Sequence, residues 1–130
     1  DHSPCAPGTK ATGDFVLDAP GVSSLQLRLP VMWTAARSRG HSLLDLARWM
    51  AQAPADLARL PRKGRITVGA DADLVVLAPD DQVVVVPADL AHRQRGTPYD
   101  GWQLTGNVRA TWLRGKAYTD GDTDGRILSR

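Results

Sequence analysis

Cysteine is nearly missing from this chain, with Cys5 standing alone among 130 residues. One thiol rules out an internal disulfide and suits a reducing compartment, so the expected location is cytoplasmic. Histidine is almost as scarce, with only His2, His41 and His92. A two-metal hydrolytic centre gathers several His and carboxylate ligands around one water, and three widely spaced imidazoles cannot complete one. A nucleophile triad has no footing either, because Ser3 lies in no Gly-x-Ser-x-Gly elbow and no His has a visible acid partner. Long apolar runs are absent, which excludes a helical membrane span. The chain opens on Asp with no charged and apolar leader before it, so no secretory signal is expected. It also opens in mid-element, which makes it an expected piece of a longer protein.

What remains is the composition of one ordinary soluble domain, 42% hydrophobic with a net charge of +2. Lys and Arg are scattered, so neither an acidic partner nor a membrane surface is implied. Four Trp and a sequence pI near 9.0 raise the alternative of a non-catalytic binding module for nucleic acid. Against it, the Trp sit inside helix and strand patterns and are not interleaved with Lys and Arg on one face.

The first five residues, Asp1-His2-Ser3-Pro4-Cys5, read as a short polar strand end opening into a loop. This is where an α/β barrel collects reactive side chains at the C-terminal mouth of its strands, and an Asp there can hold a metal or move a proton. Pro4, Pro7, Gly8, Gly13, Pro20 and Gly21 make residues 2–21 one long loop, the kind that often serves as a lid or binding loop. Asp14 and Phe15 within it read as loop packing and solvated charge. From Val22, apolar residues recur at helical spacing through Leu25, Leu29, Met32, Trp33 and Ala36, with Pro30 kinking or splitting the helix. Gly40 stops it, Ser42 caps a second helix along Leu43, Leu46, Ala47 and Met50, and Pro54 starts a short third that Pro61 closes.

At Lys63 the composition changes. Leu74–Leu77 and Val83–Val86 read as two short buried strands separated by a turn at Pro79-Asp80-Asp81. Asp71 and Asp73 invite a metal reading, but nothing beside them in sequence supplies a third ligand, and two turn acids are more often local caps. Pro87 to Leu90 suits one helical turn, and His92 to Tyr99 follows without periodicity as a solvated loop. Residues 106–114 alternate as a half-exposed strand, Arg114-Gly115-Lys116 turns it, and Ala117 to Thr119 closes it. The last eleven residues, 120–130, are rich in Asp and Gly and are expected to be loose.

Several of these motifs resemble one family. Asp1-His2-Ser3-Pro4-Cys5 is similar to the end of the last barrel strand in the allantoinase branch of the cyclic amidohydrolases. Gly64 to Val75 looks like the stretch by which amidohydrolases re-enter their small β-sandwich after the barrel. The run from His92 to Tyr99 resembles the allantoinase Arg-His and Ser-Pro-Tyr segment, with the first two residues transposed and Thr97 in place of Ser; Val108 to Gly115 points the same way. The fold so implied is α/β. Residues 1–62 would be the C-terminal end of a metal-dependent (β/α)8 barrel, and residues 63–130 part of a small β-sandwich with a loose tail.

The resemblance also implies a chemistry. The parent enzyme would open the ring of allantoin to allantoate with divalent metal, two zinc ions mostly liganded by residues absent here. Asp1 would bind the more buried metal, accept the proton of the attacking water and return it to the leaving ring nitrogen. Cys5, four positions after the Asp, would line the pocket, and Pro20 and Gly21 would lie where the backbone comes close to the ring. There the chain departs from its relatives, which tend to carry Trp-Gly-Gly where this sequence has Ala19-Pro20-Gly21; Pro20 has no N–H to donate. His2 should point to the opposite face from Asp1 and act in packing or support. The partner implied is a small cyclic ureide, with no nucleic acid and no membrane, and the full-length form is expected to be a homo-oligomer. A hydantoinase or dihydropyrimidinase, or a dihydroorotase, is the enzymatic alternative; Ala-Pro near this point is reminiscent of dihydroorotases.

Overall fold

The computed structural model describes residues 2–6, 8–10 and 12–119. Asp1 and the tail expected to be loose, 120–130, lie outside them. The chain forms two compact units, Asp1–Leu46 with Ala78–Asn107, and Ala47–Leu77 with Val108–Arg130. Among the described residues are a helix α1 (Arg28–Arg37), a second helical rod and a three-stranded sheet. The sheet has the order β1 (Leu74–Val84), β2 (Gln103–Leu113), β3 (Lys116–Tyr118).

In the first unit α1 begins at Arg28, six residues later than the apolar spacing predicts; Ser24 to Leu27 form a turn instead, closed by the Leu27 N–H on the Ser24 carbonyl at 2.9 Å. Pro30 explains the shift. It is the third residue of the helix, where an N–H has no carbonyl to reach, so its missing donor costs nothing and the helix is neither kinked nor split. Trp33 and Ala36 bury on one side, and after Arg37 the chain turns through Gly40 at φ +78°, with the His41 N–H on the Ala36 carbonyl at 3.1 Å. Leu27, Val85, Leu90 and Leu104 make the core, with Val31 and Tyr99 against it. Each such side chain contributes about 1.5–3 kcal/mol by leaving water.

The two strands predicted around Pro79 are a single strand, β1, and Pro79-Asp80-Asp81 lies inside it. Trp33 donates its indole N–H to the Pro79 carbonyl at 2.8 Å, and Arg37 bonds the same carbonyl at 2.9 Å and Asp80 at 2.7 Å. These anchors hold an apparent turn extended. β1 is also an edge strand, where a proline can leave its missing N–H side unpaired. Nor is the strand buried as expected, since Val75, Val76 and Val84 are exposed.

Ser42 caps the second rod as its sequence suggests. Its hydroxyl accepts the Asp45 N–H at 3.2 Å while the Asp45 carboxylate accepts the Ser42 N–H at 2.9 Å, a reciprocal cap. The third helix is not separate: α2 (Leu43–Ala47) passes through a π-helical turn, Arg48–Gln52, into α3 (Ala53–Leu57). Pro54 cannot donate one turn back, and the bonding changes step just before it, with the Ala53 N–H reaching the Arg48 carbonyl. Of the expected stripe Leu46 is buried and Met50 half-buried, while Leu43 and Ala47 are exposed; in the third segment Ala55 is buried and Leu57 exposed.

In the second unit Gly64 packs on the rod at φ +77°, and a Cβ there would stand 2.6 Å from the Ala51 carbonyl oxygen. Lys63 bridges Asp71, at 2.9 Å, and Asp73, while Arg62 holds the other Asp71 oxygen at 2.6 Å. The second Asp73 oxygen accepts the Arg114 N–H at 2.8 Å, and the Ala72 carbonyl accepts that of Gly115 at 3.0 Å. Arg114 and Gly115 both have positive φ, forming the tight turn that pairs β2 with β3 from Leu113↔Lys116 to Thr111↔Tyr118.

Candidate functional site

The strand end and its loop fold back on the segment before α1. His2 pairs with Val22 in a short parallel bridge, and the Ser3 N–H reaches the Val22 carbonyl at 3.2 Å. Buried Ser23 donates its hydroxyl to the Ser3 carbonyl at 3.1 Å, and its own carbonyl accepts the Thr97 hydroxyl at 2.7 Å. Nδ1 of His2 accepts two consecutive N–H groups, from Ser24 and Leu25, each at 3.1 Å. A ring nitrogen that accepts carries no proton, so the proton of neutral His2 sits on Nε2. The His2 ring meets that of His92 edge to face, centroids 5.4 Å apart, and His92 Nε2 is buried without a partner among the described residues.

Of the expected site residues, Asp1 lies outside the described residues. Cys5 is half-buried, its Sγ 3.3 Å from the Ser3 carbonyl and 3.6 Å from the Ser3 hydroxyl. That hydroxyl holds the thiol below its usual pKa, partial burial opposes it, and Thr9 and Lys10 add to the lowering. Pro20 and Gly21 are joined by one cation, because the Lys10 ammonium bonds the Pro20 carbonyl at 3.0 Å and that of Gly21 as well. The same ammonium that bonds these carbonyls is one of the smaller causes that lower the Cys5 thiol. Sequence reasoning passed over Lys10, and no local pattern marks it. His2, expected to pack or support, has a definite bonding role visible only once Ser24 and Leu25 are folded beside it.

Further along the loop Asp18 accepts the Thr12 hydroxyl at 2.6 Å and the Thr12 N–H at 2.9 Å, which hold its carboxyl below the ordinary range. Asp14 is spent locally on the Val16 N–H at 2.8 Å, and Phe15 is 96% exposed. Among the described residues no three His, Cys or acidic side chains converge on a metal-sized space. Asp71 and Asp73 are engaged by Arg62, Lys63 and the Arg114 N–H. What the arrangement offers is a rigidly bonded strand end, a softened thiol and a backbone turn with its carbonyls already engaged.

The amidohydrolase family model matches residues 31–118. An allantoinase from Streptomyces avermitilis is 51% identical across all of this chain, which spans 30% of that protein. A probable allantoinase from Dictyostelium discoideum is 37% identical over 90% of the chain and 24% of its own length. A D-hydantoinase (dihydropyrimidinase) from Thermus sp. has a similar structure, with a TM-score of 0.82 at 27% identity, over 97% of this chain and 29% of that one. The chain thus spans under a third of these relatives. No helix among the described residues is long and apolar enough to cross a membrane.

Proposed function

Because this chain belongs to the amidohydrolase family, we propose that it is the C-terminal part of a cytoplasmic, homo-oligomeric allantoinase that opens the cyclic ureide ring of allantoin to allantoate. The observation that carries the reading is the 51% identity to an allantoinase over the whole chain, strand-end motif included. Residues 1–62 then close a (β/α)8 barrel and residues 63–130 belong to a β-sandwich. Asp1 takes the proton of the attacking water and hands it to the departing ring nitrogen. Cys5, Pro20 and Gly21 line one side of the ring.

A pair of divalent metals, zinc in this reading, would activate that water in the full-length enzyme. The described residues do not form a metal site by themselves, and of this chain only Asp1 is assigned to it. On this reading the 130 residues alone should not open the ring. Likeness to a hydantoinase structure favours a second reading, hydrolysis of hydantoin or dihydropyrimidine rings. The test is ring opening by the full-length protein with allantoin, hydantoin, dihydrouracil and dihydroorotate in parallel. Allantoin should have the highest kcat/KM; a higher value for any other ring overturns the assignment.

A further inference from the structure

We infer that His2 is a positioning residue, clamping the strand end that carries Asp1 onto the turn before α1; the inference rests on the role proposed above for Asp1. Three observations converge on this imidazole. Its Nδ1 takes the N–H groups of both Ser24 and Leu25 at 3.1 Å, so one acceptor satisfies two consecutive donors. Its backbone is in the bridge with Val22, which ties the same short segment from the other direction. The His92 ring stands edge-on against it, fixing the ring plane that aims Nδ1.

The geometry makes the residue hard to replace. Ser24 and Leu25 lead directly into the turn that starts α1, so the clamp joins the strand end to the helix start and not to another loose loop. One rigid peptide plane connects His2 to the preceding residue. Holding His2 by ring and backbone therefore fixes the point from which the chain runs on to the preceding residue. A carboxylate that must both receive and return a proton needs such fixing, because a misplacement of about 1 Å can cost on the order of a hundredfold in rate.

The test compares three variants of the full-length protein. In His2→Asn the Oδ1 atom can stand where Nδ1 stands and accept the same N–H groups. His2→Gln places its acceptor one bond further out, and His2→Ala has none. Hydrogen exchange at the Ser24 and Leu25 amides reads the clamp without reference to activity: it should be slow in wild type and His2→Asn and fast in the other two. For ring opening, His2→Ala and His2→Gln should lose about 10- to 100-fold in kcat with KM little changed, and His2→Asn should recover most of it. Unchanged exchange at both amides in His2→Ala overturns the clamp. Lost protection with kcat intact overturns the positioning role, as does equal recovery by Asn and Gln. If wild type opens none of the rings, the allantoinase reading fails, and so does positioning for that reaction; the exchange data still decide the clamp.

Discussion

Around Lys63, in one compact unit, every carboxylate oxygen of Asp71 and Asp73 already has a donor: Arg62, Lys63 or the Arg114 N–H. Around His2, in the other, Nδ1 takes two backbone N–H groups, the Cys5 thiol is held below its usual pKa, and the buried His92 Nε2 has no partner among the described residues. Residue type alone would rank the two the other way, since paired Asp residues look more like chemistry than a His beside a Ser. Saturation decides between them. A carboxylate whose two oxygens already face cations or an N–H has less to offer a metal or a substrate, whereas beside His2 the buried Nε2 of His92 is still without a partner among the described residues.

The largest effect that can break this contrast is catalytic. With the role proposed for Asp1 in the full-length protein, Asp1→Asn keeps the shape and one oxygen but cannot carry a proton, and kcat should fall by about 10²- to 10⁴-fold. Asp71→Asn, made in parallel, should leave kcat per folded molecule unchanged. Steady-state kinetics on both variants checks the pair. Activity of Asp1→Asn within about tenfold of wild type would assign the proton to another group.

Next is a purely structural effect in the Lys63 region. Gly64→Ala would push a Cβ to 2.6 Å from the Ala51 carbonyl and 2.7 Å from the Ala55 Cβ, at a φ of +77° that side chains seldom adopt. Overpacking alone should cost about 1–3 kcal/mol, read as a lower urea midpoint, with kcat of the folded fraction intact. A midpoint unchanged by the substitution would mean the rod yields at Ala51, and that this region is looser than its bonds suggest.

The part of this molecule legible in sequence is the part that local chemistry determines. Ser42 with Asp45 three residues on is a cap written in four letters, and Arg114-Gly115 between alternating strands is a turn written in two. Pro30 was legible as a constraint but misplaced, because its position within the helix matters more than its presence. β1 was not legible: Pro79-Asp80-Asp81 is straightened by Trp33 and Arg37, more than forty residues away in the chain. The strand-end motif pointed to the family, yet the bonds of His2 depend on amides twenty-two and twenty-three residues on. Sequence carries the donors and acceptors, and only the fold says which are already taken.

Acid and base should separate the two regions further. The Lys63 bridge holds both Asp71 and Asp73 below the ordinary carboxylate pKa, and they in turn raise Lys63. Depressed carboxylates stabilise the loop above their unfolded pKa of about 4 and lose that contribution as pH falls through the lower folded values. The raised lysine contributes fully below its unfolded pKa of about 10.4 and loses its share as pH climbs through the folded value. Protease nicking between residues 62 and 73 should thus be flat across the neutral range and rise only at the extremes. Lys63→Met should remove the alkaline arm, which belongs to the lysine itself, and only weaken the acid arm, because Arg62 and the Arg114 N–H still hold the two carboxylates; a nicking rate that changes near neutrality would show that these pairs do not hold the loop.

The smallest expected effect lies in the Pro20-Gly21 turn, where the proposed ring contact is weakest. Pro20 has no N–H to donate, and Lys10 already occupies the carbonyls of Pro20 and Gly21. The backbone there can gain a donor without disturbing the bonds it has. One neutral hydrogen bond contributes about 0.5–1.5 kcal/mol, so Pro20→Gly in the full-length enzyme should lower KM for allantoin by roughly two- to tenfold with kcat little changed. Loss of proline's stiffness opposes part of that gain by widening the unfolded ensemble, which a small drop in thermal midpoint would register. A KM that stays where it was, with that drop present, would place the ring away from Pro20 and shift the pocket wall toward Cys5.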